Sequence, residues 1–132
     1  MGMMKNLMIR VHKRSGDRFQ GMDLLYLTTV GAKSGQERVS PLARFDDGDG
    51  AWLVVASNAG ARRNPSWYHN LRAHPDRVWI EVGGRRVHAR VEQLEGERRS
   101  AALERIVAAQ PRYGAYQRKT SRALPVIRLS GE

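Results

Sequence analysis

Ala56-Ser57-Asn58-Ala59-Gly60-Ala61-Arg62-Arg63-Asn64-Pro65-Ser66-Trp67-Tyr68-His69-Asn70-Leu71 joins two stretches of different periodicity. The apolar run that leads into it, Trp52 to Ala56, reads as a fully buried strand. The small residues that follow let backbone N–H groups approach a ligand with no large side chain in the way. A helix then begins. Asn64 suits the N-cap, Pro65 suits the first helical position, and Trp67 and Leu71 share one face. Pro75 stops this helix near His74. Strand, small-residue loop, two arginines and capped helix together form a candidate cradle for an anionic ligand. The alternative is an ordinary strand-to-helix connection with solvated arginines.

The flanking sequence supplies the sheet. Asp23 to Thr29 reads as a first strand and Gly31-Ala32-Lys33-Ser34-Gly35 as a tight turn. Glu37 to Phe45 returns, and Pro41 within it predicts an edge position or a bulge. Asp46-Asp47-Gly48-Asp49-Gly50 is a hairpin turn. Downstream, Val78, Ile80 and Val82 alternate, Gly83-Gly84 turns the chain, and Val87, Ala89 and Val91 alternate again. Gly96 to Gln110 reads as a helix with Leu103, Ile106 and Val107 as its apolar stripe, ended by Pro111. Pro125 to Leu129 is a last short strand. Met3 to Arg14 fits an amphipathic helix with Leu7, Met8 and Val11 on one face, which packs on the sheet or lies on an anionic membrane surface. About six mostly antiparallel strands with helices at their side predict a mainly β (α+β) sheet closing on itself, in one domain spanning residues 1–132.

Composition narrows the chemistry. The 132 residues are 41% apolar, which suits a globular chain, and no run is long enough to span a bilayer. The N-terminus is too polar for a signal peptide, so the cytoplasm is the default compartment, with peripheral membrane contact through that segment left open. With no cysteine there is no disulfide, thiolate metal site or cysteine nucleophile. Twenty-three basic residues against 13 acidic ones, a net charge of +10, favour anionic partners. The charge is spread along the chain with no basic arm, and aromatics are not interleaved as in single-strand binders, so nucleic acid is not the expected partner. His69 and His74 lack the spacing of a zinc-binding helix pair, and no metal is expected. No G-x-S-x-G elbow is present. Gly31 to Gly35 is not a Walker-type phosphate loop, because Ala32 precedes Lys33 and a strand follows; its N–H groups, Lys33 and Ser34 can still hold a phosphate or carboxylate. Anion-binding backbone without catalytic machinery suits an enzyme whose cofactor carries the reaction, or a binding module.

Several spaced motifs carry a resemblance. Leu27-Thr28-Thr29-Val30-Gly31-Ala32-Lys33-Ser34-Gly35-Gln36, Arg38, Pro41-Leu42, Ala56 to Ala61, Asn64-Pro65, Trp67-Tyr68 and Asn70-Leu71 resemble the deazaflavin-dependent nitroreductase and quinone reductase family. Tyr113, Tyr116, Gln117, Thr120 and Pro125 follow in the same order, so the resemblance covers about Leu24 to Leu129. It implies a split β-barrel like that of the flavin-binding pyridoxamine-phosphate oxidases. It also implies coenzyme F420, an 8-hydroxy-5-deazaflavin with a phospholactyl-oligoglutamate tail, with FMN as the alternative cofactor. The implied reaction is hydride transfer from the reduced coenzyme to a quinone, nitroaromatic or activated alkene. By motif position, Lys33, Ser34 and Arg38 would bind the phosphate and tail, with Arg62 and Arg63 available to the same groove. Ser40, Pro41, Leu42, Val55, Ala56, Ser57, Asn58, Ala59, Gly60, Ala61, Asn64, Pro65, Trp67 and Asn70 would surround the deazaflavin, Trp67 serving equally well as a core anchor. Ser57 would orient the acceptor, and Tyr113 and Tyr116 would form its pocket. The chain departs from the family pattern at Ala32, Ala43, Asn58 and Gln110, which changes the acceptors that fit. The competing readings are a non-catalytic F420 or FMN carrier and a basic nucleic-acid-binding barrel. A monomer and a homodimer fit the sequence equally.

Overall fold

In the computed structural model the described residues are 18–131 with Gln20 excepted, so the helix expected over residues 3–14 lies outside them. Strands β1 (Arg18–Phe19), β2 (Met22–Val30), β3 (Glu37–Ala43), β4 (Phe45–Asp46) and β5 (Ala51–Val55) come first. A short 3-10 turn (Asn58–Gly60) and helix α1 (Ser66–Ala73) follow. Then come β6 (Trp79–Val82), β7 (Arg85–Gln93), α2 (Gly96–Ala109), α3 (Arg112–Arg118) and β8 (Val126–Gly131).

All strand pairings are antiparallel, in the path β1-β2-β6-β7-β8-β5-β4 with β3 on β2. One residue, Arg44, separates β3 from β4, although β3 lies on β2 near one end of that path and β4 forms the other end. The covalent chain therefore joins the ends, and the sheet curls into a barrel. Arg44 marks where the expected strand Glu37–Phe45 divides: its N–H closes the β2–β3 ladder on Asp23 O and its Nε donates to Leu24 O, both at 2.9 Å, before the chain leaves β2 for β5. Pro41 lies opposite Tyr26 in β3, which pairs with β2 alone among the described residues, the edge position that a missing N–H requires. Gly83 and Gly84, with φ +58° and +80°, make the two-residue β6–β7 hairpin turn, a conformation that both central residues must adopt with positive φ.

Alternation sorts the side chains. Leu25 and Leu27 of β2 meet Val54, Ile80, Ala89, Ile127 and Leu129 in one buried cluster, which α1 joins through Trp67, Tyr68 and Leu71. The opposite face of β5, Leu53 and Val55, packs with Val126, Leu94, Leu124, Ala102 and Ile106 of α2, and Tyr113 of α3. Each fully buried Leu or Ile contributes about 1.5–3 kcal/mol. The expected inward sets of β6, β7 and α2 all lie in or against these clusters.

Two local expectations change. Pro65, extended at ψ 156°, is the N-cap of α1 and Ser66 its first residue, because Asn64 Oδ1 accepts a 2.7 Å hydrogen bond from Arg122 and is turned away from the first turn. Pro111 ends α2 as expected but also starts α3, which sequence reading left unassigned. Gly114 sits in the middle of that helix because a Cβ there would lie 3.2 Å from Val107 of α2.

Asp47 ties β4–β5 to two other elements. Its carboxylate accepts from Arg105 Nη2 of α2 at 2.8 Å and from Arg128 Nε of β8 at 2.7 Å. Partial burial pushes this carboxyl up, but the hydrogen bonds and charges of the two guanidinium groups outweigh it and hold Asp47 below the usual range. The stabilisation is present above the ordinary carboxylate pKa and is lost as pH falls through the lowered one. Asp47→Asn is expected to cost about 1–2 kcal/mol near neutral pH, and the difference from wild type should vanish in acid. Urea melts across pH 2–7 check this; a constant difference over that range would refute it.

Candidate functional site

Two cavities meet along α1. The first, about 450 Å³, lies between β3 and the residues that follow β5; its walls include Pro41, Leu42, Val55, Ser57, Asn58, Ala59, Pro65, Trp67 and Tyr113. The second, about 570 Å³, is lined by the β2–β3 turn (Gly31, Ala32, Lys33, Ser34), Arg38, and Ser66, His69 and Asn70 of α1. Ser40 and Trp67 line both, so the two form one elongated cleft. Their volumes are those of small-molecule sites.

The first cavity owes its polarity to backbone. Ser57 is right-handed at φ −82°, ψ −36°, whereas Asn58, Ala59 and Gly60 have φ of +46°, +55° and +82°. A right-handed residue followed by left-handed ones points successive N–H groups into one concavity, the nest that binds anionic or carbonyl oxygens. Among the described residues, the N–H groups of Ser57, Asn58 and Ala59 find no protein acceptor, whereas those of Gly60 and Ala61 bond to Ser57 O and Asn58 O. Ala59 in this conformation costs about 1–2 kcal/mol. The strain persists because the surrounding chain holds it. Gly60 lies against Tyr116 O of α3, and the Asn58 side chain donates to Arg63 O at 3.0 Å.

The second cavity owes its polarity to side chains. Ala32 N–H donates to Asn70 Oδ1 at 3.0 Å, and Asn70 Nδ2 donates to Thr29 Oγ1 at 3.3 Å, so α1 clamps the turn. Ser34 Oγ accepts from Gln36 N–H at 3.2 Å and keeps its own hydrogen available. Arg38 Nη1 donates to Gln36 Oε1 at 3.1 Å. Lys33 and Arg38 have no acid partner among the described residues, leaving two cations at this end of the cleft.

Tyr113 closes the first cavity from α3. Its ring stands edge-on to Phe45 at 5.5 Å and to Tyr116 at 5.4 Å, and its hydroxyl faces Met22 Sδ at 4.0 Å. Burial foremost, then the neighbouring Tyr116, pushes its hydroxyl up to about 12, so it holds its proton at every physiological pH. The buried neutral phenol adds stability that is complete below the ordinary tyrosine value of 10.0 and disappears as pH rises toward about 12. Relative to Tyr113→Phe, wild type is expected to lose roughly 2 kcal/mol between those limits. Alkaline denaturation of both proteins reads it; parallel curves would contradict it.

The cleft thus brings together Lys33, Ser34, Arg38, Ser40, Pro41, Leu42, Val55, Ser57, Asn58, Ala59, Pro65, Trp67, Asn70 and Tyr113. Ala56 is fully buried in the barrel, Gly60 is buried beneath α3, and Tyr116 stands behind Tyr113. Ala61 and Arg62 are exposed outside both cavities, and Asn64 is spent on Arg122. Two residues escaped sequence reading. His69, weighed only as a metal ligand, lines the cationic cavity. Arg122 binds the loop from behind, and nothing in Thr120-Ser121-Arg122 distinguishes it from the other arginines of this basic chain. Among the described residues no three His, Asp or Glu side chains converge as a metal site needs.

The sequence pattern of the F420H(2)-dependent quinone reductases matches residues 3–130. The chain belongs to that family. An F420H(2)-dependent quinone reductase of Mycobacterium tuberculosis is 42% identical over 121 residues, covering 89% of this chain and 80% of the relative. The solved structure of an F420-H2 dependent reductase (FDR-A) is 38% identical, with a TM-score of 0.72 over 81% of this chain and 93% of that one. A Listeria innocua structure described as a pyridoxamine 5′-phosphate oxidase, 13% identical with a TM-score of 0.58, covers 98% of this chain and 94% of its own and shares the fold. The expected split barrel and oxidoreductase family are both borne out, and the family's cofactor is coenzyme F420. Its members reduce quinones with F420H(2). No helix among the described residues is long and apolar enough to cross a membrane.

Proposed function

We propose that this quinone reductase holds the deazaflavin ring of F420 in the cavity beside Ser57 and the anionic tail at Lys33 and Arg38. The observation that carries the reading is the continuity of the cleft. A compartment with apolar walls and three N–H groups that find no acceptor among the described residues adjoins one bearing two cations with no acid partner among them, with Ser40 and Trp67 common to both. A planar ring with electron-rich oxygens and a phosphate–carboxylate tail has that polarity.

Each group has a task that follows from its surroundings. The N–H groups of Ser57, Asn58 and Ala59 bind a ring oxygen, as such groups do in an oxyanion hole. Pro41, Leu42, Val55 and Trp67 would supply the apolar walls that hold the ring and exclude water. Lys33, Ser34 and Arg38 hold the phosphate and glutamate carboxylates. When bound and reduced, F420 supplies two electrons and a hydrogen as hydride. A quinone then needs one proton to reach the hydroquinone. Tyr113 Oη, buried and protonated in the same cavity, donates a hydrogen bond to the acceptor oxygen, the proton itself coming from solvent at the open cleft, and Ser57 Oγ helps orient that acceptor. Nitroaromatic and activated-alkene acceptors fit the same arrangement of hydride donor and hydrogen-bond donor. Contact of the N-terminal segment with an anionic membrane would bring the site to lipid-soluble quinones.

Fluorescence titration tests the assignment with F420, a tail-free deazaflavin and FMN. Wild type should prefer F420 over the tail-free ring by about tenfold or more, and Lys33→Ala should erase most of that preference while leaving tail-free binding unchanged. The preference should also shrink with added salt. Oxidation of the reduced coenzyme on adding a quinone completes the assignment. Retention of FMN with no deazaflavin binding would refute it, and binding without turnover would make the protein a carrier.

A further inference from the structure

Ser57, Asn58 and Ala59 line the cleft, and a cation sits on the carbonyl side of the peptides that carry the first two N–H groups of the nest. The Arg122 guanidinium sits there and uses its donors on five acceptors spread over the loop. Nε donates to Ala61 O at 2.9 Å. Nη1 donates to Ala56 O at 3.2 Å and Asn64 Oδ1 at 2.7 Å. Nη2 donates to Ser57 O at 2.9 Å and Arg63 O at 3.3 Å. Lys119 Nζ adds a contact to Ala59 O at 3.3 Å. In a trans peptide the carbonyl and the N–H point in opposite directions. Gathering the carbonyls of residues 56 and 57 around the guanidinium therefore turns the N–H groups of Ser57 and Asn58 the other way, while the Asn58 carbonyl, bonded to Ala61 N–H, carries the N–H of Ala59.

Arg122 is itself held. Its N–H donates to Thr120 Oγ1 at 3.3 Å, and its carbonyl accepts from Gln117 Nε2 at 2.8 Å. Gln117 Oε1 takes Arg99 Nη2 at 2.9 Å and Leu124 N–H at 3.0 Å, so α2 and α3 fix the segment that carries the guanidinium. A solvated surface arginine would have neither this arrangement nor a reason for it.

We propose that Arg122 is a positioning residue for the reaction: it holds the Ala56–Asn64 loop with its N–H groups facing the cleft, and so sets the affinity for the deazaflavin ring. Its positive charge behind the peptides also strengthens them as donors toward a negative oxygen. Lysine cannot take its place, having three donors on one atom and no planar fork. The role rests on the cofactor assignment proposed above.

The test compares wild type, Arg122→Lys and Arg122→Ala. Both variants should bind F420 and the tail-free deazaflavin at least tenfold more weakly. KM for reduced F420 should rise while kcat changes less than threefold. Millimolar guanidinium chloride, and not sodium chloride at equal ionic strength, should restore part of the binding in Arg122→Ala. Binding within twofold of wild type in Arg122→Lys, with only the melting temperature lowered, would overturn the proposal and leave Arg122 a structural clamp. So would a lack of guanidinium rescue in a folded Arg122→Ala. If wild type itself bound no F420, the cofactor assignment would fail alone. Backbone amide shifts measured without cofactor would then decide the positioning role. Changes in Arg122→Lys centred on the amides of Ser57 and Asn58 would support it, and unchanged shifts there would overturn it.

Discussion

Gly60→Ala is expected to destabilise the protein by about 3 kcal/mol and to weaken F420 binding by more than tenfold. Two effects add. The residue has φ +82°, and a Cβ built there would lie 2.7 Å from Tyr116 O, 3.1 Å from Tyr116 Cα and 3.0 Å from Lys119 Cβ. The obstruction is mostly backbone of α3, so a side-chain rotation cannot relieve it. Either α3 or the loop must move. Moving the loop displaces the N–H groups of residues 57–59, which couples the stability loss to the binding loss. Gly84→Ala is the control. Its φ is +80°, yet nothing lies within 4 Å of the added Cβ, so only the conformational cost of about 1–2 kcal/mol applies. Urea unfolding and F420 titration on the two variants separate collision from backbone strain. Equal effects from both substitutions would show that the contact with α3 carries no weight.

Asn70→Leu is expected to cost about 2–4 kcal/mol, although leucine has the same number and branching of heavy atoms as asparagine and the helix tolerates it well. Asn70 is 8% exposed, and its amide serves Ala32 N–H and Thr29 Oγ1, the latter on a residue with no exposure at all. Leucine leaves both groups without a partner, and water cannot reach Thr29 to replace it. The Lys33–Ser34 turn loses its tether to α1, so tail binding falls with stability. Asn70→Asp keeps an acceptor for Ala32 N–H and should recover part of both losses. Thermal melting and F420 titration check the pair; an Asn70→Leu protein as stable as wild type would sink the argument.

These two residues show what can be read at each level. Asn70 stands out in sequence only as part of a motif, and the motif reading grouped it with ring-contacting residues. The structure gives its side chain to the turn that carries Lys33. Gly60 was legible as a small residue in a loop, but the partner that makes it obligatory lies in a helix the sequence did not reveal. That helix, Arg112–Arg118, has a glycine at its centre and only seven residues. Intrinsic preference alone does not support it. Packing on α2 does.

Local order was available from the chain itself. The alternation of Val78, Ile80, Val82, Val87, Ala89 and Val91, the glycine turns, Pro41 at an edge and Pro75 after a helix are consequences of backbone geometry within a few residues. Spaced motifs carried the family and its cofactor, because evolutionary likeness survives in short words in a fixed order. Contacts between distant residues were not available. Nothing local places β8 between β5 and β7, sends the chain through Arg44 from one end of the sheet to the other, or brings Arg122 to the carbonyls of residues 56–63. Hydrophobic alternation specifies which face of a strand is buried but not which strand lies beside it. A basic side chain likewise reads the same whether it is solvated or closes a loop. Burial of both faces of β5, against the barrel interior on one side and the helices on the other, decided those placements.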